Sequence, residues 1–226
     1  GTTLTTNADL ATGTDAADAF SALIGTNVTS GALADTLQNV DIISGGGGID
    51  TLSFQSTGNT IGNNNDSVEI INATAFGTTT FNMANTVGTT TLNNTSSIGT
   101  LNLTNVPNVV ALGIVNVNNQ LTDVAYSAAS ITGLNDVQTI SLNNASNAAN
   151  IDLNVGAVET ISITTTGKAS NVTLDNTDAI TTLNVAGDQN LQLAFLSSDT
   201  GGANVGPDAL ATVNASTFTG NLILDA

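Results

Sequence analysis

Residues 45–52, GGGGIDTL, set a run of glycines ahead of one carboxylate and a return to apolar residues. Glycine lets the backbone curl through conformations closed to other residues, so successive carbonyl oxygens can be turned toward one point. Asp50 adds a negative charge to that ring of oxygens, and Leu52 takes the chain back toward a core. An oxygen cage of this kind suits Ca²⁺, a hard cation that accepts about six to eight oxygens at ~2.3–2.6 Å. The competing reading is a flexible loop in which Asp50 only caps a turn.

A single loop supplies half a site, so a second acidic loop is expected nearby. The stretch NADLATGTDAADAF contains Asp9, Gly13, Asp15, Asp18 and Phe20, and reads as a degenerate copy in which Asp18 and Phe20 take the places of Asp50 and Leu52. Asp41, just upstream in NVDIISGGGG, is a further carboxylate. The candidate metal-holding set is therefore Asp9, Asp18, Asp41 and Asp50 with the backbone of Gly46 and Gly48, and the expected ion is calcium.

Composition narrows the chemistry independently. The 226 residues carry 18 acidic side chains against the single cation Lys168, with no His and no Cys, for a net charge of −17. Thiol nucleophiles, Ser-His pairs, histidine bases and nitrogen or sulfur metal sites are all excluded. Nucleic acid and anionic membranes are poor partners, because both need Lys and Arg to displace counterions. No apolar run approaches the ~20 residues of a membrane span. The absence of cysteine leaves the redox compartment open.

The elements that must position these residues are strands. Runs such as TLNL, TISL, TISI and TLNV alternate apolar residues with Thr, Ser or Asn, between clusters of Asn, Gly, Asp and Ser. Only residues 16–23, AADAFSAL, read as a short helix or turn. Pro107 and Pro207 fall in expected loops, the latter within SSDTGGANVGPD.

The runs also repeat. Leu101, Ile140, Ile161, Leu183 and Val213 align, each preceded by threonine (Thr100, Thr139, Thr160, Thr182, Thr212). Each unit continues into a second apolar pair, such as Ile151 and Leu153, Val172 and Leu174, or Leu191 and Leu193. Repeats of roughly twenty residues whose strands cannot bury an apolar face alone point to stacked coils. The expected fold is all-β, a right-handed parallel β-solenoid, with residues 1–54 as a calcium-binding cap and 55–226 as Thr/Asn-rich coils. An antiparallel sandwich is the alternative.

Residues 45–52 fit the nonapeptide pattern G-G-x-G-x-D-x-U-x. With LTTNADLATGTDAADAF, VDIISGGGGIDTLSF, VEIINATAF and LATVNASTFTGNLIL in that order, the chain resembles the RTX-type surface-layer and adhesin-like proteins of Gram-negative bacteria. The resemblance implies type I secretion, calcium-dependent folding outside the cell, a place on the cell surface, and self-assembly into a two-dimensional lattice. Cell-surface polysaccharide would then be a further partner, through other parts of the parent protein. The chain departs from the family in lacking a long tandem array of nonapeptides.

The charge balance agrees with that implication. An apo chain at −17 repels itself, and millimolar Ca²⁺ would favour the compact state by neutralising clustered carboxylates. Three rival functions follow from the same residues. Catalysis is disfavoured, since Glu69 and Glu159 share one structural place in the repeat and read as outward, so the chain is expected not to be an enzyme. An ice-binding solenoid would use the threonine column, but the partner positions two residues on are Asn or Ser. A secreted adhesin or stalk without a lattice is the closest rival.

Overall fold

In the computed structural model, which describes residues 1–146, 149–153, 158–175, 177, 179–196 and 209–225, the chain is an all-β parallel solenoid. The loop SSDTGGANVGPD and its Pro207 lie outside the described residues. The sole helical element among the described residues is one 3₁₀ turn, Ala128–Ser130. No helix there is long and apolar enough to cross a membrane.

A ten-stranded sheet runs along the molecule, from Thr2–Thr3 through Ala19–Ala22, Thr51–Ser56 and Ile70–Ala75 to Thr212–Phe218. An eight-stranded sheet faces it, from Thr60–Ile61 to Leu222–Asp225. A short four-stranded sheet, Leu10–Thr12, Ile42–Ser44, Asn64–Asp66 and Thr86–Val87, closes the early coils as a third wall. Among the described residues all strand pairings are parallel except a small hairpin, Gly25–Thr26 with Leu33–Ala34. Residues 1–54 contribute strands to the same long sheet as the coils that follow, since Ala19–Ala22 pairs with Thr51–Ser56, which pairs with Ile70–Ala75.

Period-two alternation decides which side chains go inside. In Thr51–Ser56 the residues Leu52 and Phe54 are buried while Thr51, Ser53 and Gln55 face outward. Stacking coils turns such residues into columns: Phe20, Leu52, Ile71, Leu92, Leu112 and Ile140 sit on consecutive strands and all are buried. Phe54 meets Phe81 of the facing sheet with ring centroids 5.1 Å apart, a tilted aromatic contact that joins the two walls. Phe20, Phe54, Phe81, Phe195 and Tyr126 fill the core, whereas Phe76 stands exposed at a corner.

Corners need left-handed backbone, and Asn or Ser supplies it. Asn105, Asn116, Asn119 and Asn144 have φ of 53–57°. Asn116 and Asn144 stack one coil apart, with Asn144 Nδ2 donating to Asn116 Oδ1 at 2.9 Å.

Three sequence expectations change. Residues 16–23 form no helix: Ala19–Ala22 is a strand, with Phe20 and Ala22 inward. Leu101 and Leu103 belong to the eight-stranded sheet, Leu101 between Thr79 and Thr122 and Leu103 between Phe81 and Val124, so the first aligned unit was out of phase with its coil. Ile140 pairs with Ile163 rather than Ile161, and Val172 with Leu193 rather than Leu191. A two-residue slip keeps every side chain on its own face, so an apolar pattern of period two cannot tell these registers apart. The threonine column shortens accordingly to Thr160, Thr182 and Thr212, while Thr139 lies beside Ser162.

Candidate functional site

Two corners flank the short sheet, and each carries a column of acids. Asp9 and Asp41 precede the strands Leu10–Thr12 and Ile42–Ser44, which pair in register. After those strands come the loops 13–18 and 45–50, and then the long sheet begins at Ala19–Ala22 and Thr51–Ser56. Asp18 and Asp50 close these loops, one coil apart. The predicted residues thus form two groups: Asp9 with Asp41, and Asp18 with Asp50, Gly46 and Gly48.

The same device holds both columns. Asp9 N–H donates to Asp41 Oδ1 at 2.9 Å, and Asp18 N–H donates to Asp50 Oδ1 at 2.6 Å. Asp50 N–H in turn donates to Glu69 Oε2 at 2.7 Å. At each corner the chain leaves the sheet ladder, and a carboxylate from the next coil supplies the acceptor that a carbonyl would otherwise provide.

The second oxygen of each acid usually caps its own loop. Asp18 Oδ2 accepts from Thr14 N–H at 2.7 Å and Thr14 Oγ1 at 2.8 Å. Asp9 Oδ2 accepts from Thr5 N–H at 2.6 Å, and Asp41 Oδ2 from Gln38 N–H at 2.7 Å. Hydrogen bonds from the Thr14 side chain and backbone hold the Asp18 carboxyl below the usual carboxylate range. Burial pushes Asp41 the other way, above that range, against the opposing pull of the Gln38 and Asp9 N–H donors.

Asp50 differs. It is fully buried, and its Oδ2 has no hydrogen-bond donor. That oxygen lies over Gly45, where a Cβ would sit 2.4 Å from it. An ionised carboxylate oxygen taken out of water without a donor is costly, so the position invites a cation.

The glycines explain how two coils come this close. A Cβ on Gly13 would meet Gly45 O at 1.9 Å, and one on Gly45 would meet Ser67 O at 1.7 Å. Backbone therefore packs on backbone, stitched by Gly13 N–H to Ser44 O at 2.7 Å and Gly47 N–H to Thr14 O at 2.8 Å. Gly46 and Gly48 hold φ of 95° and 98°, beyond the range an L side chain readily adopts.

On donor inventory, the place that fits a hard cation is Asp50 with Asp18 above it. Both oxygens of Asp41 already receive backbone N–H groups. Among the described residues no group of three or more acidic side chains converges on a point. A Ca²⁺ at Asp50 would thus take two carboxylates at most and complete its shell from main-chain carbonyls and water.

Glu69 and Glu159 do share one structural place, as their sequence context suggests. Each stands immediately before a long-sheet strand and accepts the backbone N–H of an acid one coil earlier, Glu159 Oε2 taking that of Asp136 at 2.8 Å. Asp136 is the residue the sequence reading missed. Like Asp50 it follows a glycine by three positions, and like Asp50 it has a buried Oδ2 without a donor. The signal was G-x-x-D in ITGLNDVQT, without the neighbouring glycines that make residues 45–48 conspicuous.

No protein-family model, no curated protein and no solved structure matches this chain. The fold and the acid columns therefore stand on the chain's own residues.

Proposed function

We propose that this chain is a structural module of an extracellular bacterial surface layer, stabilised by calcium near its N-terminus and assembling with copies of itself. The observation that carries the proposal is the buried Asp50 Oδ2, donorless and stacked one coil from Asp18 in a chain of net charge −17. Bound Ca²⁺ would supply the positive charge that Lys168, exposed at a distant corner, does not. The chain's own residues do the rest: Asp18 and Asp50 present oxygens, Thr14 fixes Asp18, and the glycines let the two loops approach.

Other features agree with a structural role. A parallel solenoid buries one continuous core and leaves long flat walls for lateral contacts. The glutamates, the natural candidates for two-carboxylate catalysis, are engaged as backbone acceptors in separate coils.

Electron microscopy of the purified chain with millimolar Ca²⁺ tests the assembly reading. Ordered sheets that dissolve on adding a chelator support it. Isolated rods under all conditions would assign the chain to an adhesin or stalk instead.

A further inference from the structure

Charge is distributed unevenly over the walls. No strand of the ten-stranded sheet contains a charged residue, from Thr2–Thr3 to Thr212–Phe218. The eight-stranded sheet instead lines up Asp123, Asp152 and Asp175 on adjacent strands, and the short sheet carries Asp66. In a molecule of net charge −17, the strands of this wall carry no charge across their width, and its acids, Asp18, Asp50, Glu69, Asp136 and Glu159, stand only along the edge where the strands begin.

That wall is also pre-organised. Asn93 Nδ2 donates to Asn72 Oδ1 at 2.8 Å, Asn72 Nδ2 to Ser53 Oγ at 3.2 Å, and Asn184 Nδ2 to Ser162 Oγ at 3.2 Å. Side chains already held by their neighbours lose little further freedom on docking. Amides and hydroxyls carry both donors and acceptors, so such a surface complements itself. The outward residues Ile70, Val115 and Val137 add apolar contact between the polar rows. From Thr51–Ser56 to Thr182–Gly187 the outward positions include no aromatic ring, which disfavours a small-molecule site.

We propose that the outer face of the ten-stranded sheet is the surface through which this chain packs, wall to wall, on a second copy of itself. This rests on the self-assembly reading and names its contact surface. Ten strands about 4.8 Å apart and about five residues long present roughly 700 Å². A stable interface buries about 800 Å² per partner, so the wall is of the right size.

Sedimentation velocity of the full 226-residue chain with millimolar Ca²⁺, over a concentration series, tests it. Thr139 and Thr164 are exposed on the wall, whereas Gln192 is exposed on the eight-stranded sheet. Thr139→Glu and Thr164→Glu should each weaken association at least tenfold with an unchanged circular dichroism spectrum, while Gln192→Glu should associate like the parent. Thr164→Val, which adds no charge, should retain association, so loss through misfolding is distinguishable. Association of both Glu variants at parental strength would overturn the assignment and leave self-assembly standing through another wall. A parent chain that stays monomeric would overturn both. Thermal hysteresis in a monomeric parent, lost in Thr164→Glu, would assign the wall to ice.

Discussion

The backbone N–H of Asp18 donates to Asp50 Oδ1 over 2.6 Å, which fixes two like-charged residues in one column, one coil apart. The contact has a structural benefit and an electrostatic cost. One Asp50 oxygen terminates the backbone of the coil above, and the other is left buried without a donor.

Replacing Asp50 separates these roles. Asp50→Asn keeps an acceptor for Asp18 N–H and removes the buried charge, so its melting temperature in chelator should equal or exceed that of the parent. Its gain on adding Ca²⁺ should vanish. Asp50→Ala removes the acceptor as well and should cost about 1–3 kcal/mol in chelator, read by urea denaturation.

Gly45 tests the stacking geometry. The methyl group of Gly45→Ala would clash with Ser67 O of the next coil and with Asp50 Oδ2. Backbone cannot retreat as a flexible side chain can, so a loss of about 3 kcal/mol is expected. Gly31→Ala is the control: its added carbon meets nothing within 4 Å, and its φ of 70° leaves only local strain. It should cost about 1 kcal/mol.

The acid columns predict a pH optimum on the acid side of neutrality. Asp41, raised by burial, holds its proton in the folded chain at pH values where the unfolded chain has released it. Its contribution is therefore full at low pH and is lost as pH rises through the folded value. Asp18, lowered by its Thr14 hydrogen bonds, behaves oppositely: its contribution is present at neutral pH and is lost as pH falls through the folded value. Calorimetry in chelator should show the melting temperature rising as pH falls from neutrality toward the raised Asp41 value, and falling again as pH drops through the lowered Asp18 value. A monotonic fall from neutrality would contradict the burial of Asp41.

Much of this was legible in the sequence because stacked coils impose a period that alternation reveals. Leu183 over Ile161 and Leu222 over Leu191 were readable from spacing alone. Ile140 over Ile163 was not, since a slip of two residues costs no change of face. The glycine run and Asp50 were visible as a site because their types are unusual. The stacking of Asp18 on Asp50 was readable too, because Asp18 and Phe20 copy the spacing of Asp50 and Leu52, and Phe20 does pair with Leu52. The pairing of Asp9 with Asp41 was not, since it depends on how many residues the intervening hairpin absorbs, which local propensity does not encode. Asp136 stayed hidden because one glycine and one acid in a polar corner look like any turn.

Glu69 and Glu159 should behave alike if both serve as backbone acceptors. Glu69→Gln and Glu159→Gln retain an acceptor oxygen and should each cost less than about 1 kcal/mol. Glu69→Ala and Glu159→Ala leave the N–H groups of Asp50 and Asp136 without one, and should each cost about 1–3 kcal/mol by chemical denaturation.

The most direct test is the melting temperature of the intact chain in chelator and in millimolar Ca²⁺, followed by circular dichroism alongside Asp50→Asn. For a domain of this size, calcium at about a hundred times its dissociation constant should raise the parent's melting temperature by roughly 5–10 °C and leave Asp50→Asn unmoved. Identical melting curves for the parent with and without calcium would contradict a cation at Asp50, and the surface-layer reading would lose its chemical support.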